Sequence, residues 1–380
     1  MNVWGKSARV LSLGCMLGAL LFVGCNSAQQ ETERASADAV TESADAVTES
    51  ADASGDLAEE IPETISVTIS ATGDCALGKL QIHGYDGSFC AYYDTYGADY
   101  FMENVRDIFA ADDFTVVNLE CVLTNETTRV EKTYNIKGYP EYTAILTGGS
   151  IEACSLGNNH SADYGTQSLV DTEEALEAAG VGYAIDDVVG TYTTEDGILI
   201  GYVSVNLLSQ SAEKEAYLQE GIEDLRERCD LVLALCHWGV EHVNYLSDYQ
   251  VEMAHQCVDW GADLVIGNHP HVLQGIELYN GKVICYSLGN FCFGANRNPD
   301  DKETLIYQQT FTFVDGALQD MVDATILPCA LSSHTSYNDY QPMLLTGEDG
   351  QTVISHVNEY SENYCESGIF FDEDGTLKTE

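Results

Sequence analysis

Basic residues are scarce in this sequence of 380 residues. It contains 15 Lys and Arg against 62 Asp and Glu, which gives a formal charge of −47 and an isoelectric point near 4.1. Proteins that bind nucleic acid neutralise phosphates with clustered Lys and Arg, so this composition argues against nucleic acid as a partner. Hydrophobic residues make up 45% of the chain and supply enough apolar surface for a sizeable core. The acidity is therefore expected on the surface of a globular protein.

The N-terminal apolar run is too short to span a membrane. It covers residues 10–23, whereas a spanning helix needs about 20 apolar residues. It follows Lys6 and Arg9 and ends at Gly24-Cys25, which predicts a signal peptide over residues 1–25 and resembles a bacterial lipobox with Cys25 as the lipidated residue. The alternatives are an ordinary secretory signal and an uncleaved anchor. Each reading places the rest of the chain outside the cytoplasmic membrane, and the lipid would anchor it there.

Large apolar side chains are few between residues 26 and 63. Ser36–Glu42 recurs identically at Ser43–Glu49, and the whole stretch has 11 acidic residues and one basic residue. A seven-residue period also suggests a coiled coil, but each repeat offers only one large apolar residue, Val40 in the first. The composition favours a disordered, extended acidic tether.

Cysteine pairs with a recognisable spacing are absent. Eleven cysteines follow the first 25 residues, an odd number with no C-x-x-C. Most lie in or just after apolar segments, which favours buried free thiols, although one or two disulfides remain possible. The sequence also has no G-x-S-x-G, and Cys236 and His237 are neighbours whose side chains would diverge in a strand. A Ser-His-Asp or Cys-His nucleophile is therefore not indicated.

Apolar segments that predict strands alternate with segments that predict helices. The predicted helices cover residues 166–179, 213–228 and 248–260. Nearly continuous apolar strands separated by helices indicate a layered α/β fold whose ligands bind beyond the carboxyl ends of the strands. Six predicted strands lead into polar residues: 66–72 into Asp74, 114–119 into Glu120, 151–156 into residues 157–160, 231–236 into His237, 264–266 into residues 267–271, and 283–286 into residues 287–291.

The folded part is expected to begin near Thr64. We assign residues 64–330 to the main domain, with a strand pair at 305–314 and 321–327 at the edge of its sheet. Residues 331–380 form an acidic C-terminal extension without a chemical motif. We predict strands and loops there, packed on the main domain.

The residues at the strand ends are those of a metal site. Asp, Glu, Asn and His together suit Mn, Fe or Zn. His269-Pro270-His271 is the most specific sign of a metal site. Residues i and i+2 of an extended segment point to the same side, and Pro270 stiffens the link between the two histidines. An isolated H-x-H motif is weak evidence for a metal site. Here the motif follows an apolar strand, and Asp74 and His237 also follow apolar strands.

Six motifs follow one another at the strand ends between residues 66 and 293. They are Gly73-Asp74, Asn118-Leu119-Glu120, the segment from Asn158-Asn159-His160 to Gly165, His237-Trp238-Gly239-Val240-Glu241, Gly267 to Val272, and Ser287-Leu288-Gly289-Asn290-Phe291. In this order they resemble the bacterial capsule-synthesis protein CapA family. The resemblance implies a four-layer α/β/β/α sandwich similar to calcineurin-like metallophosphoesterases, and a role in making, exporting or anchoring poly-γ-glutamate. It also implies a membrane-tethered, metal-dependent hydrolase-like domain.

The metal ligands implied by the resemblance form one nearly complete set and one doubtful set. The phosphoesterase pattern begins with Asp-x-His, but Cys75-Ala76 follows Asp74 here, so that His is missing. Cys75 should point to the opposite face of its strand. One or two divalent ions are therefore expected. The first set is Glu120, Asn159, His237 and His269, and the second is Asp74, Glu120 and His271.

Further residues have roles other than metal binding. His160 would face the substrate and protonate the leaving group. Asp163 would either orient His160 or cap the following helix. Glu241 would orient a ligand, contact substrate or be a solvated surface acid. Asn158 and Asn290 are candidate substrate contacts, with a turn role as the alternative for Asn290. The remaining histidines are expected outside the site: His255 in a helix, and His83, His242, His334 and His356 without a strand end.

Three functions fit these features. The first is a lipid-anchored CapA-type protein that acts on an anionic capsule polymer or its precursor through a metal-dependent site. The second is a general metallophosphoesterase, against which the missing His argues. The third is a non-catalytic partner of a membrane synthase or export protein. A free polyanion would meet 51 acidic and 12 basic residues in the folded part, which requires bridging cations or a neutral groove and gives the third function some support.

Overall fold

The structure is a computed structural model that describes residues 62–378. Its strands, in chain order, are β1 (Thr64–Ala76), β2 (Lys79–Leu80), β3 (Phe114–Leu119), β4 (Val122–Leu123), β5 (Ile136–Gly138), β6 (Ala153–Ser155), β7 (Gly182–Ala184), β8 (Gly190–Thr193), β9 (Leu199–Asn206), β10 (Leu231–His237), β11 (Leu264–Asn268), β12 (Ile276–Tyr279), β13 (Lys282–Cys285), β14 (Asn290–Phe293), β15 (Glu303–Val314), β16 (Ala317–Leu318), β17 (Asp323–Ala330) and β18 (Met343–Leu344).

The helices surround these strands. They are α1 (Phe89–Tyr96), α2 (Asp99–Met102), α3 (Arg106–Phe109), α4 (Thr143–Gly148), α5 (Thr166–Ala179), α6 (Ala212–Arg226), α7 (Asp248–Trp260) and α8 (Gly347–Tyr364). Within the described residues, no helix combines the length and apolarity needed to cross a membrane.

Two large sheets carry most of the parallel strands. In the first, the order is β18-β17-β15-β1-β3-β6-β7, with β14 beside β1 and β16 beside β15. In the second, the order is β12-β13-β11-β10-β9-β8. The strands β1, β3, β6 and β7 run parallel, as do β9, β10, β11 and β13. A third, small sheet has the order β2-β5-β4.

The hydrophobic core has three parts, which define four layers. One cluster contains side chains of β1 and β10 and fills the space between the two large sheets, with Ile69 and Leu233 among its members. A second lies between the first sheet and α1–α5, and a third between the second sheet and α6 and α7. The order helix, sheet, sheet, helix confirms the predicted α/β/β/α sandwich. It brings the carboxyl ends of parallel strands from both sheets to one edge.

Local sequence explains the helix that joins β10 to β11. Ser247 begins α7 with a capping box: its hydroxyl accepts from the backbone N–H of Gln250, and the Gln250 side chain bonds back to Ser247. Gly261 ends the helix in the left-handed conformation, which glycine adopts without a Cβ clash. These signals make the predicted bounds 248–260 agree with the structure.

The C-terminal segment differs from the prediction of strands and loops. It contains the 18-residue helix α8, which buries Val353, Ile354 and Val357 in the cluster between the sheets and packs against β17 and β12. The apolar residues at i, i+1 and i+4 mark one face of this helix, but the surrounding acidic residues obscure that period. The prediction of its secondary structure was wrong for this reason.

The cysteines agree with the prediction of free thiols. All eleven in residues 62–378 are unpaired, and ten of them are buried. Cys75 packs in the cluster between the first sheet and its helices, and burial raises the pKa of its thiol to about 12. It therefore does not replace the missing histidine of the first motif.

Candidate metal centre

Glu120 lies at the middle of the site. It follows β3, its side chain is fully buried, and neither carboxylate oxygen has a hydrogen-bond partner among residues 62–378. Three nitrogens surround Oε1: Nε2 of His237 at 3.7 Å, Nε2 of His271 at 3.8 Å and Nε2 of His160 at 3.9 Å. These distances are too long for hydrogen bonds, but a cation about 2.1 Å from each of two such atoms can bridge them.

Asp74 lies beside Glu120 near the end of β1. Its Oδ1 accepts a hydrogen bond of 2.7 Å from Nδ2 of Asn118, and its Oδ2 lies 3.0 Å from Nδ1 of His271. That nitrogen also lies 3.0 Å from Oδ1 of Asn290. The first sheet thus supplies two carboxylates, while Asn118 and Asn290 fix Asp74 and His271.

The second sheet supplies three imidazoles. His237 ends β10, and His269 and His271 follow β11. The rings of His237 and His269 lie 4.8 Å apart between centroids. Ligand atoms of Glu120, His269 and His271 all lie within 4.8 Å of one another. The tertiary structure therefore brings these candidate ligands together from two sheets.

His269 and His271 converge for a different reason from the one predicted. Their φ angles are 98° and 58°, so the segment is not extended and the alternation of a strand does not apply. A positive φ is unfavourable for a residue with a Cβ and persists where the surroundings enforce it. The backbone N–H of His269 lies 3.4 Å from Oδ2 of Asp74, and Pro270 C=O accepts from the N–H of His242. The prediction of convergence holds, but its stated cause was wrong.

The loop after β6 contributes Asn159 to the same cluster. Oδ1 of Asn159 lies 2.9 Å from Nε2 of His237. The preceding Asn158 donates to Asn118 Oδ1 and Leu119 C=O and accepts from the N–H of His160. Because protein groups engage both ends of its amide, Asn158 orients the loop. This differs from the predicted substrate contact.

His160 and Asp163 are buried and interact with the half-buried Lys132, a residue that the sequence analysis did not single out. Its Nδ1 lies 2.8 Å from Oδ2 of Asp163 and 3.3 Å from Nζ of Lys132. Lys132 also bonds to Oδ1 of Asp163 at 2.5 Å and to the C=O of Asn159 at 2.8 Å. The helix α5 begins after Gly165, and no side chain of the described residues caps it. Asp163 therefore orients His160, and the alternative role as a helix cap is wrong.

Glu241 and Asn290 border a cavity of about 300 Å³ beside the centre. His160 and His271 line the same cavity from the side of the ligands. Glu241 is exposed and close enough to influence the charges of Glu120 and the histidines. Its position fits a substrate contact. Cys25, the predicted lipid site, lies outside the described residues.

Burial and charge set the protonation of the cluster. Burial raises the pKa of Glu120 well above its usual range and lowers that of His237 well below it. Burial and the charge of His271 lower the pKa of His269 to about 4. Burial opposes the charging of His271, but Glu120 and Asp74 outweigh it and raise that pKa to about 10. His237 and His269 are therefore neutral at pH 7 and can offer lone pairs to a cation.

The donor set fits a divalent transition metal. A buried carboxylate with two unpartnered oxygens is costly unless a cation or donor satisfies it. His269 Nδ1 is also buried without a hydrogen-bond partner in the described part of the chain. Two oxygen-bearing acids, one amide oxygen and neutral imidazoles are the ligands that Zn, Fe and Mn accept.

Sequence reasoning missed four residues that shape this site, among them His83, which was expected outside it and lines the cavity. Asn118 precedes Glu120 in the same motif, and a polar residue within an otherwise apolar strand could have identified it. Lys132 is one of only 12 basic residues after residue 63, but the loop that carries it has no motif. His242 was set aside because it does not follow a strand, yet it lines the cavity. His255 lies where expected, in α7, stacked on Tyr279.

A family described as bacterial capsule synthesis protein PGA_cap matches residues 68–196 and 201–295, more than half of the chain. The PGA biosynthesis protein CapA of Bacillus subtilis (strain 168) is 32% identical over 219 residues, which cover 52% of this chain and 57% of that protein. The capsule biosynthesis protein CapA of Bacillus anthracis is 27% identical over 266 residues, which cover 63% of this chain and 63% of that protein. The chain thus matches less than two thirds of the length of either protein.

Other similar proteins are more distant. A probable polyglutamine synthesis accessory protein of Mycobacterium tuberculosis is 25% identical over 257 residues, 58% of this chain and 67% of that protein. Among solved structures, TT1561 of Thermus thermophilus gives a TM-score of 0.37 at 11% identity over 64% of this chain and 94% of that chain. Purple acid phosphatase PPD1 of yellow lupin gives a TM-score of 0.33 at 9% identity, and the match covers 75% of this chain and 54% of that chain.

Proposed function

This chain belongs to the bacterial capsule synthesis protein PGA_cap family, and from that premise we propose that it acts in the biosynthesis, export or anchoring of a poly-γ-glutamate type polymer through a metal-dependent, hydrolase-like site. Membership confirms the resemblance drawn from the six sequence motifs. All six candidate ligands lie within the matched residues. The substrate and the reaction are part of the proposal.

The observation that carries the metal-dependent part is the buried Glu120 carboxylate. Both its oxygens lack a hydrogen-bond partner among the described residues, while three imidazoles face it at 3.7–3.9 Å. Glu120, Asn159, His237 and His269 would hold one ion, and Asp74, Glu120 and His271 a second. A bound divalent cation would polarise a scissile bond and lower the pKa of water.

The remaining residues of the site would act on the substrate. His160 is placed to donate a proton to a leaving group, with Asp163 and Lys132 holding the orientation of its ring. Glu241 would contact the substrate at the mouth of the cavity. The reaction would be hydrolysis of a γ-glutamyl amide or a related bond.

The first experiment is elemental analysis of the purified full-length chain, wild type and with His237→Ala or Glu120→Gln. His334→Ala is the matched control, because His334 is half exposed and lies outside the cluster. We expect one to two metal ions per chain in the wild type and the control, and less in the two site variants. Absence of metal after anaerobic, metal-supplemented purification would overturn the metal-dependent part of the proposal.

A second measurement addresses the reaction itself. The metal-loaded protein would be incubated with poly-γ-glutamate and with simple phosphoesters, and product formation compared with His160→Gln. Cleavage of the polymer alone supports the proposed reaction, and cleavage of phosphoesters alone favours a general phosphoesterase. Metal binding without hydrolysis of either favours a non-catalytic role beside the synthesis machinery, in line with the name of the mycobacterial accessory protein.

We also propose that the chain is exported and anchored by a lipid at Cys25. The support is the short apolar segment that ends at this residue, preceded by Lys6 and Arg9. In a bacterial host, Cys25→Ser is expected to move the protein from the membrane fraction to the soluble extracytoplasmic fraction. Cys15→Ser, within the same segment, is the matched control and should stay in the membrane fraction. Membrane retention of Cys25→Ser without any lipid label would contradict the proposal.

A further inference from the structure

The basic residues of the folded part are concentrated beside the candidate centre. We use the word cap for the small sheet and its loops, residues 79–85 and 122–139. These 25 residues contain four of the 12 basic residues that follow residue 63, and only two of the 51 acidic ones. Arg297 adds a fifth basic group, because its Nη2 donates to the C=O of Gly84 and of Asp86. The cap is thus a local basic region on a strongly acidic protein.

The cap also exposes a high share of the large apolar side chains. Thirteen such side chains are exposed in the described part of the chain, and five of them belong to the cap. Lys137 places its Nζ 5.1 Å from the ring centroid of Tyr139, within the range of a cation–π contact. The five are Ile82, Tyr85, Val130, Tyr134 and Tyr139.

The cap forms one wall of the cavity that leads to the centre. Leu80, His83, Tyr134 and Ile136 line it, and His160 and His271 line the same cavity near the ligands. Burial and the charges of Arg297 and Lys79 lower the pKa of His83, so both cations lie near this wall. A cavity of about 300 Å³ is at the small end for ligand sites, so a polymer would lie mostly outside it.

We propose that the cap is the binding face for a polycarboxylate chain, and that it delivers that chain through the cavity to the metal centre. Basic groups of the cap other than Lys132, which pairs with Asp163, would pair with the spaced carboxylates. The exposed tyrosines would pack on the methylene groups between those carboxylates. The inference rests on the proposed function, since it assigns a position to the polymer of that reaction.

The net charge of the folded part does not exclude this binding. Charges on the surface are screened beyond about 8 Å at physiological ionic strength, so the acids of distant faces act weakly on a chain bound at the cap. A basic and aromatic face also suits an anionic membrane. The connection from the cap to the cavity favours the polymer, because a membrane-docking face has no need of a path to the centre.

The test measures the binding of fluorescently labelled poly-γ-glutamate to the metal-loaded full-length chain by fluorescence anisotropy, at an ionic strength of about 0.1 M. Arg129→Glu and Tyr134→Ala are the variants, because both residues are exposed and neither side chain has a hydrogen bond or ion pair within residues 62–378. Lys378→Glu is the control, with the same charge change outside the cap. We expect Arg129→Glu to weaken binding about fivefold and Tyr134→Ala about threefold, with the control within about twofold.

The outcomes separate the cap from the metal site. Equal weakening by Arg129→Glu and Lys378→Glu overturns the cap as a specific face, because it shows an effect of net charge alone. Retention of metal without polymer binding overturns the inference and leaves the metal site intact. Polymer binding that depends on the cap and survives removal of the metal supports the inference, because the cap contains none of the candidate ligands. Absence of metal from the purified wild type would contradict the proposed function and not the cap. Binding to phosphatidylglycerol vesicles but not to the polymer overturns it in favour of a membrane face.

Discussion

At the scale of single residues, Glu120 decides the energetics of the site. Its carboxylate is buried, its oxygens have no hydrogen-bond partner in residues 62–378, and burial raises its pKa. Asp74 is equally buried but is satisfied by Asn118 and His271. The two acids therefore contribute in opposite ways to the stability of the metal-free fold.

Glu120→Gln is expected to raise the melting temperature of the metal-free protein by a few degrees. A buried polar group whose atoms have no hydrogen bond costs about 1–3 kcal/mol, and the attraction of Glu120 to His271 at 3.8 Å offsets only part of this cost. The same change should abolish the rise in melting temperature that added metal produces. Calorimetry with and without chelator measures both effects. Asp74→Asn is the control and should not stabilise the metal-free protein, because it weakens existing bonds. Destabilisation by Glu120→Gln would contradict this account.

Glu152 gives a stability effect that depends on pH and lies away from the centre. Burial raises its pKa from 4.5 to about 7, although the N–H of Thr115 donates to its carboxylate at 2.7 Å. An acid whose pKa is raised on folding stabilises the protein below the unfolded pKa, and this contribution is lost as the pH rises to the folded value.

Glu152→Gln should therefore increase the free energy of unfolding relative to the wild type as the pH rises from 4.5 to 7. The gain should reach about 1–3 kcal/mol and stay constant above about pH 7.5. Urea unfolding at several pH values measures it, with the difference at pH 4.5 as the internal reference. A difference that does not change with pH would show that the pKa is not raised.

At the scale of elements, close backbone contacts hold the strand ends in register. A Cβ on Gly267 in β11 would lie 2.0 Å from the C=O of Tyr286 and 2.4 Å from Nε1 of Trp238. Trp238 follows β10 and donates to that same C=O. The glycine therefore allows the approach of β11 and its neighbours that places His237 and His269 side by side.

Gly267→Ala is expected to lower the free energy of unfolding by about 3 kcal/mol, at the upper end for overpacking, because a backbone oxygen cannot move aside. It should also weaken metal binding, since the next two residues lead to His269. Gly84→Ala is the control: no atom lies within 4 Å of its added Cβ. Urea unfolding and metal titration measure the two effects. Equal losses in both variants would contradict the steric explanation.

At the scale of the whole molecule, metal binding is coupled to protonation. Glu120 and Asp74 raise the pKa of His271 to about 10, so its imidazole is protonated at pH 7 before metal binds. A cation must displace that proton, which links metal affinity to pH.

Binding of one divalent ion at pH 7 should release at least about one proton, and the affinity should rise about tenfold per pH unit between pH 6 and 8. Isothermal titration calorimetry in buffers of different ionisation enthalpy counts the protons. Thermal shift with added metal should be larger at pH 8 than at pH 6. In His271→Ala the dependence on pH should become weaker. A pH-independent affinity in the wild type would contradict the charged state of His271.

Much of the fold and of the ligand set is determined locally, and the sequence therefore predicts it. The predicted bounds of α5 and α7 agree with the structure because a helical period ends at Gly180 and Gly261. Asp74, Glu120 and His237 follow apolar strands, and parallel strands place such residues at one edge. The helix α8 was missed because its apolar face is short and its flanks are acidic.

The contacts between distant residues depend on the tertiary structure. The carboxylate of Glu120 has no hydrogen-bond partner within residues 62–378 because the two sheets close over it, and Lys132 reaches Asp163 through a loop without a periodic pattern. His269 and His271 converge through positive φ angles that the surroundings impose. The sequence determined the chemistry of the site, because residue types and strand ends are local properties. The tertiary structure decided burial, charge coupling and the basic cap, because these depend on which segments lie next to each other.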